Sequence, residues 1–305
     1  MKSDNHNDRA GLDTGSDASR SPRWGQERRL EFIDFRLQWD GRINRADLTR
    51  FFGISIPQAS ADLARYQELF PGNTRYSPSD KYYLTLDTHR PGFQTSGARQ
   101  YLAQLLALDR GILAPQDAFF GRMPPMASVP VPSRTVDELT LKALVRAVTE
   151  SGMLEVEYQS VTREESTMRD ISPRAFGHDG MRWHVRAYCH LRNKFQDFVI
   201  GRILRVGRAT KSTVSSLIDV EWDRELSLIL EPHPGLSKAQ RRGIEIDYGM
   251  ENGRVPMSCR QAMLYYALRR LGLEDDGTPR PKHRQVVIAN LADIAPYLPT
   301  ATTLT

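Results

Sequence analysis

Gly180-Met-Arg-Trp-His-Val-Arg-Ala-Tyr-Cys189 is the stretch whose reading decides the fold. Taken with a period of two, Met181, Trp183, Val185, Ala187 and Cys189 fall on one side, and Arg182, His184, Arg186 and Tyr188 on the other. Successive strand side chains point to opposite faces, so this is a strand with one apolar and one cationic, hydrogen-bonding face. His178-Asp-Gly180 before it signals a hairpin turn. Asn193-Lys194 after it fits a second turn into the apolar run Phe195–Ile200. The segment therefore reads as adjacent strands of a small antiparallel barrel or sheet, with Trp183 and Val185 facing the core.

The polar face carries Arg, His, Arg and Tyr, with no acid among them. Two readings stand side by side. One is a basic outer face of a sheet. The other is an anion pocket, in which the planar fork of Arg186 meets a phosphate and His184 and Tyr188 orient it.

A chain of 305 residues has room for two or three domains, each with its own core. Hydrophobic content of 40% and charged content of 26% fit a soluble protein, and no apolar run is long enough to cross a membrane. The N-terminus lacks an apolar secretory core, so a cytoplasmic location is expected and no membrane partner. Two cysteines, Cys189 and Cys259, make neither a disulfide framework nor a metal cluster. A net charge of +5 permits nucleic-acid binding without requiring it. No Gly-rich phosphate loop, His-Glu-x-x-His or paired-carboxylate motif is present, and His184, Cys189 and His190 have the wrong strand spacing for a dyad. No enzyme, cofactor or metal is expected.

In chain order, residues 1–23 read as a disordered polar tail and 24–90 as a DNA-binding domain. From Gln26 to Asp40, Leu30, Ile33 and Leu37 recur at helical spacing. Ile43–Gly53 reads as a second helix closed by glycine. Ser55-Ile-Pro57 restarts a third helix that runs to about Phe70, with Ala59, Leu63 and Tyr66 or Leu69 inward and Gln58, Ser60, Ala61 and Arg65 outward. A hairpin through Arg75, Tyr76 and Lys81 follows. Three helices with a tight turn and then a hairpin resemble a winged helix-turn-helix, with a small structural helical subdomain as the other reading. Ser55, Gln58, Ser60 and Arg65 are the candidate groove residues, and Arg75, Tyr76 and Lys81 the candidate wing contacts. Asp62 reads as a structural partner.

Residues 91–136 read as a linker, with a helix over Ser96–Arg110 and an extended connector from Phe119 to Pro132. A helix over Asp137–Ser151 and the strand Met153–Ser160 open a central domain over 137–212. In the segment 213–305, Ser215–Trp222 and Ile244–Tyr248 read as strands, Ser258–Leu271 as a helix and Gln285–Ala289 as a short strand.

Trp183-His-Val-Arg-Ala-Tyr-Cys189 resembles the Trp-Tyr-Leu signature of the WYL domain, with His184 in place of Tyr and Val185 in place of Leu. The likeness continues in Val156-Glu-Tyr-Gln-Ser160, Ile171-Ser-Pro-Arg174 and Phe198-Val-Ile-Gly-Arg202. The resemblance implies an Sm-like, SH3-type β-barrel that senses a ligand, and it adds Tyr158, Ser160, Arg174 and Arg202 to His184, Arg186 and Tyr188 as ligand-binding candidates. Winged helix, WYL domain and a small α/β C-terminal extension, in that order, resemble BrxR/CapW-type regulators of phage-defence islands. That implies an α+β multidomain repressor acting as a homodimer on an inverted-repeat duplex operator, dimerised by the extension and answering to a nucleotide or single-stranded nucleic acid. A nucleic-acid-processing enzyme or an RNA-binding protein with an Sm-like barrel is the alternative.

Overall fold

A computed structural model describes residues 20–214, 216–273 and 285–298. Most of the expected tail, residues 1–19, lies outside the described residues. The chain divides after Pro130 into two compact units.

The first unit opens with α1 (Arg20–Asp40), β1 (Arg42–Ile43), α2 (Arg45–Phe52) and α3 (Ile56–Leu69). It continues with β2 (Thr74–Ser77), β3 (Tyr82–Thr85) and α4 (Ala98–Asp109). The ends of α2 and α3 are set by local chemistry. Asn44 and Asp47 form a reciprocal capping box at the start of α2, and Gly53 closes it with φ +66°, a conformation that favours glycine. Ser55 accepts from the Gln58 amide, and a proline stands in the first turn of α3. The strands pair in the order β1-β3-β2, the wing of a winged helix. Phe32, Ile33, Phe35 and Leu37 of α1 pack with Leu48, Ala59, Leu63, Tyr66 and Tyr83.

The buried Asp34 ties this core to the chain that runs on toward α4. Tyr66 donates its hydroxyl to Asp34 at 2.5 Å, and the amides of Gly92 and Phe93 donate to the same carboxylate at 3.0 and 3.2 Å. Burial, joined by the Asp34 carboxylate, pushes the Tyr66 phenol up. The extended connector expected from Phe119 needs correcting at its start. Phe119 is buried edge-on against Phe32 and Phe35, and Phe120 packs on Phe35 and Tyr101. Aromatic area outweighs the turn-rich composition around it.

The second unit holds α5 (Glu138–Thr149), β4 (Gly152–Tyr158), β5 (Thr167–His178), β6 (Trp183–Cys189), β7 (Lys194–Val199) and β8 (Ile203–Lys211). These strands form one antiparallel sheet, β7-β6-β5-β4-β8. β7 and β8 are its edges and are not paired with each other, so the sheet is open, and the expected Sm-like, SH3-type barrel is not confirmed. Leu144 and Ala147 of α5 pack on one face with Leu154, Val156, Tyr158, Ile171, Val185, Ala187, Cys189 and Phe198. Gly180, at φ +95°, makes the β5–β6 turn.

Beyond the sheet come α6 (Val220–Asp223), β9 (Glu225–Pro232), α7 (Lys238–Asp247), β10 (Val255–Arg260), α8 (Leu264–Arg270), β11 (Val286–Ile288) and α9 (Leu291–Ile294). They build a second sheet, β10-β9-β11, with Leu226, Leu228, Leu264, Leu268 and Ile294 in its core. Three expectations are corrected here. The described part of Ser215–Trp222 is not a strand but leads into α6. Ile244–Tyr248 lies at the end of α7, which Ser237 and Gln240 start with a capping box. The helix expected from Ser258 begins at Leu264, because Met257 and Cys259 pair with Leu228 and Leu226 of β9.

Candidate functional site

On α3 the outward face is as expected. Gln58, Ala61 and Arg65 are exposed, while Ala59, Leu63 and Tyr66 are buried. Leu69 stays 42% exposed and Tyr66 takes the inward position. The groups on that face are not equally free. Gln58 donates from Nε2 to Asp62 at 3.1 Å, and Asp62 is buried and held by Arg29 of α1 at 2.6 Å. Asp62 is thus the structural partner expected of it, and it fixes the Gln58 amide. Arg65 pairs with Glu68 at 3.0 Å, both largely exposed, so its guanidinium is held only weakly. The Ser60 hydroxyl accepts from Arg45 Nε at 2.8 Å and donates to the Ile56 carbonyl, and Ser55 is used as the helix cap. Arg75 and Lys81 are exposed on the wing, and Tyr76 packs at a tilt against Tyr83, 4.9 Å between ring centroids, with Arg45 over its ring at 5.6 Å. Sequence reading missed Arg45 and Arg42. Arg42 lies 4.8 Å from the Tyr82 ring centroid, so both place cations at the base of the wing. The signal lay in the arginines flanking Ile43-Asn44 at the start of α2.

In the second unit the two faces of β6 behave differently from expectation at one end. Val185, Ala187 and Cys189 are fully buried, but Trp183 is 52% exposed and packs beside His178. Trp183 stands at the strand's start, where the sheet core no longer reaches.

The polar face is not an open basic surface. His184 and Arg186 are 3% and 5% exposed. Arg186 is held by three carboxylates: Asp219 in a bidentate pair at 2.7 and 2.9 Å, Glu221 at 2.6 Å and Asp197 at 3.4 Å. Burial would lower its pKa, but these acids outweigh burial and raise it. Burial pushes the Asp197 carboxyl up despite Arg186 and His184 and despite the Tyr266 hydroxyl, which donates to it at 3.1 Å. His184 meets Asp179 through Nε2 at 3.0 Å, its ring lies 4.9 Å from Tyr266, and its Nδ1 is buried without a partner. Burial pushes Asp179 up, yet the hydrogen bonds from His184, the Met181 and Arg182 amides and the Arg182 side chain win, holding it well below the usual carboxylate range.

Arg174, on the bulge of β5 where Ala175 pairs with Arg186, reaches Asp223 at 3.6 Å. Arg174 and Tyr188 line a cleft with Ser172, Phe195, Ser212 and Leu217. Ser172 bonds both His190 and Ser212, at 2.9 and 2.8 Å. Four predicted residues, Arg174, His184, Arg186 and Tyr188, therefore share one face. Tyr158 is on the opposite face, where its hydroxyl accepts from the Val199 amide at 3.2 Å. Ser160 bonds Thr162 in the β4–β5 loop, and the Arg202 carbonyl accepts from the Gln159 amide beside it. Sequence reading missed the acids. Asp219-Val-Glu221-Trp-Asp223 places one at every second position, a complement to the Arg-His-Arg face.

Residues 25–107 match the BrxR transcriptional regulator winged helix-turn-helix domain, 140–207 the WYL domain and 225–294 the BrxR C-terminal dimerization domain. The chain is also 43% identical over 285 residues to the DNA-binding transcriptional repressor CapW of Stenotrophomonas maltophilia, covering 93% of this chain and 95% of that one. The chain belongs to the BrxR/CapW family of WYL-domain regulators. Another CapW repressor, from Pseudomonas aeruginosa, is 42% identical over 273 residues, covering 89% of this chain and 91% of that one. One from Escherichia coli is 41% identical over 276 residues, covering 89% and 91%. The BrxR/CapW matches fall on the units described above: the winged-helix match within the first, the other two within the second.

Proposed function

We propose that this protein is a homodimeric transcriptional repressor of a phage-defence operon, binding an inverted-repeat operator through α3 and the wing and answering to a nucleotide or single-stranded nucleic acid at the WYL domain. The observation that carries the reading is the exposed face of α3. Gln58 is held in place by a buried acid and Arg65 is free to leave Glu68, with Arg75 and Lys81 exposed on the wing. An amide of fixed orientation suits adenine, and an arginine suits guanine or phosphate. The family's C-terminal dimerization domain supports two half-sites spaced by about one helical turn, roughly 34 Å, or a multiple.

Footprinting on the DNA upstream of the gene, with and without short single-stranded DNA, tests it. The expected result is one protected palindrome whose occupancy changes with the ligand. The double variant Gln58→Ala/Arg65→Ala should weaken operator binding by about 1–3 kcal/mol for each base that α3 no longer reads. Unchanged duplex affinity in that variant sinks the assignment of α3.

A further inference from the structure

Resting on the reading of the WYL domain as a sensor, we propose that Asp219, Glu221 and Asp223 form a built-in anionic plug on the sensor's own arginines, displaced by a phosphorylated nucleoside or the phosphate backbone of a short strand. Two cations of the polar face, Arg174 and Arg186, are each met by carboxylates of this one short segment, while Arg182 pairs with Asp179 instead. Carboxylate and phosphate present similar oxygen pairs to a guanidinium, so the plug marks where an external phosphate fits.

The segment is not fastened by apolar burial. Leu217, Ile218 and Val220 are 41%, 70% and 52% exposed. What holds it to the sheet is polar: Ser212 on Ser172, Asp219 and Glu221 on Arg186, and Asp223 on Arg174. On its other side it is fixed to the C-terminal sheet. Arg260 of β10 donates to the Trp222 carbonyl at 2.6 Å and lies over the Trp222 ring, and the Gln261 amide donates to the Arg224 carbonyl. β9 begins at the next residue, Glu225. Freed from the sensor sheet, the plug would stay with the C-terminal sheet. The plug's pairs differ in strength. Glu221 and Asp223 are about half exposed, 50% and 47%, so their pairs are screened and weak. Asp219 is buried at 2% and is the strong clasp. An incoming anion therefore meets the outer two pairs first.

The cleft beside Arg174 supplies room for the rest of the ligand. Its walls carry the Ser172 and Ser212 hydroxyls, the Tyr188 and Phe195 rings, and Leu217 of the plug segment itself. Hydroxyls and aromatic rings suit a sugar and a base. A ligand seated there touches the segment it must move.

The test uses the full-length protein and the double variant Glu221→Gln/Asp223→Asn, both at half-exposed positions, with the thymidine trinucleotide bearing a 5′-phosphate as probe. The variant should raise amide hydrogen exchange over residues 216–224 and tighten probe binding, each by about tenfold, with β5 and β6 exchange unchanged. Arg174→Gln in the otherwise wild-type chain should abolish probe binding. If exchange over 216–224 does not rise in the double variant, the plug is wrong, and probe binding by the wild type would still support the sensor. If the segment loosens but neither protein binds the probe, both the ligand assignment and the sensor reading fall.

Discussion

Arg186 lies under three carboxylates, and that decides what its removal does. A sequence that places Trp183 in the core and Arg186 at an anion makes Trp183→Ala the more damaging change. The structure reverses the order. Losing Arg186 leaves Asp219 as an uncompensated buried charge, a cost of about 3–5 kcal/mol by denaturant titration. Trp183→Ala, at a half-exposed strand end, should cost about 1 kcal/mol or less. Equal destabilisation of the two variants would contradict this. Asp197 makes a further prediction through pH. Its folded-state pKa is raised, so its contribution to stability is full below the unfolded pKa and is lost as pH rises through the folded one. Asp197→Asn does not titrate. The melting temperature of Asp197→Asn relative to wild type should therefore climb between acid and neutral pH, and a constant offset would refute it. Alternation in the sequence correctly separated Val185 and Ala187 from His184 and Arg186. It could not tell that the polar face would be covered, because the cover comes from residues more than thirty positions on.

Helices α2 and α3 were legible because their boundaries rest on near neighbours. Asn44 with Asp47, Gly53, and Ser55 with its proline act within one turn. Asn44→Ala should cost about 1 kcal/mol, seen as a lower thermal midpoint of the first unit. A midpoint equal to wild type would show the box idle. Elements beyond residue 213 were less legible. Ile244-Glu-Ile-Asp-Tyr248 alternates like a strand, yet Ile246 is 65% exposed on α7. Here the cap at Ser237 outweighs the alternation. Likewise Ser258 reads as the start of a helix, but strand pairing with Ser227 claims it, and the helix starts later. Long-range pairing of this kind leaves no local mark.

At the scale of the molecule, the proposed repressor would engage two half-sites on one operator, which makes affinity depend on the C-terminal segment. Removing residues from 225 onward should give monomers by sedimentation and weaken operator binding, since the half-sites then act separately. A truncated dimer with normal affinity would count against it. Operator affinity should also fall steeply with salt, as the arginines and lysine of α3 and the wing release phosphate counterions. One carboxylate gives the winged-helix unit a mechanical property as well. Asp34 grips the departing backbone at Gly92 and Phe93 and, through Tyr66, grips α3. One acid thus joins three parts of the chain, and neither α3 nor the backbone entering α4 can shift against α1 without breaking a buried contact.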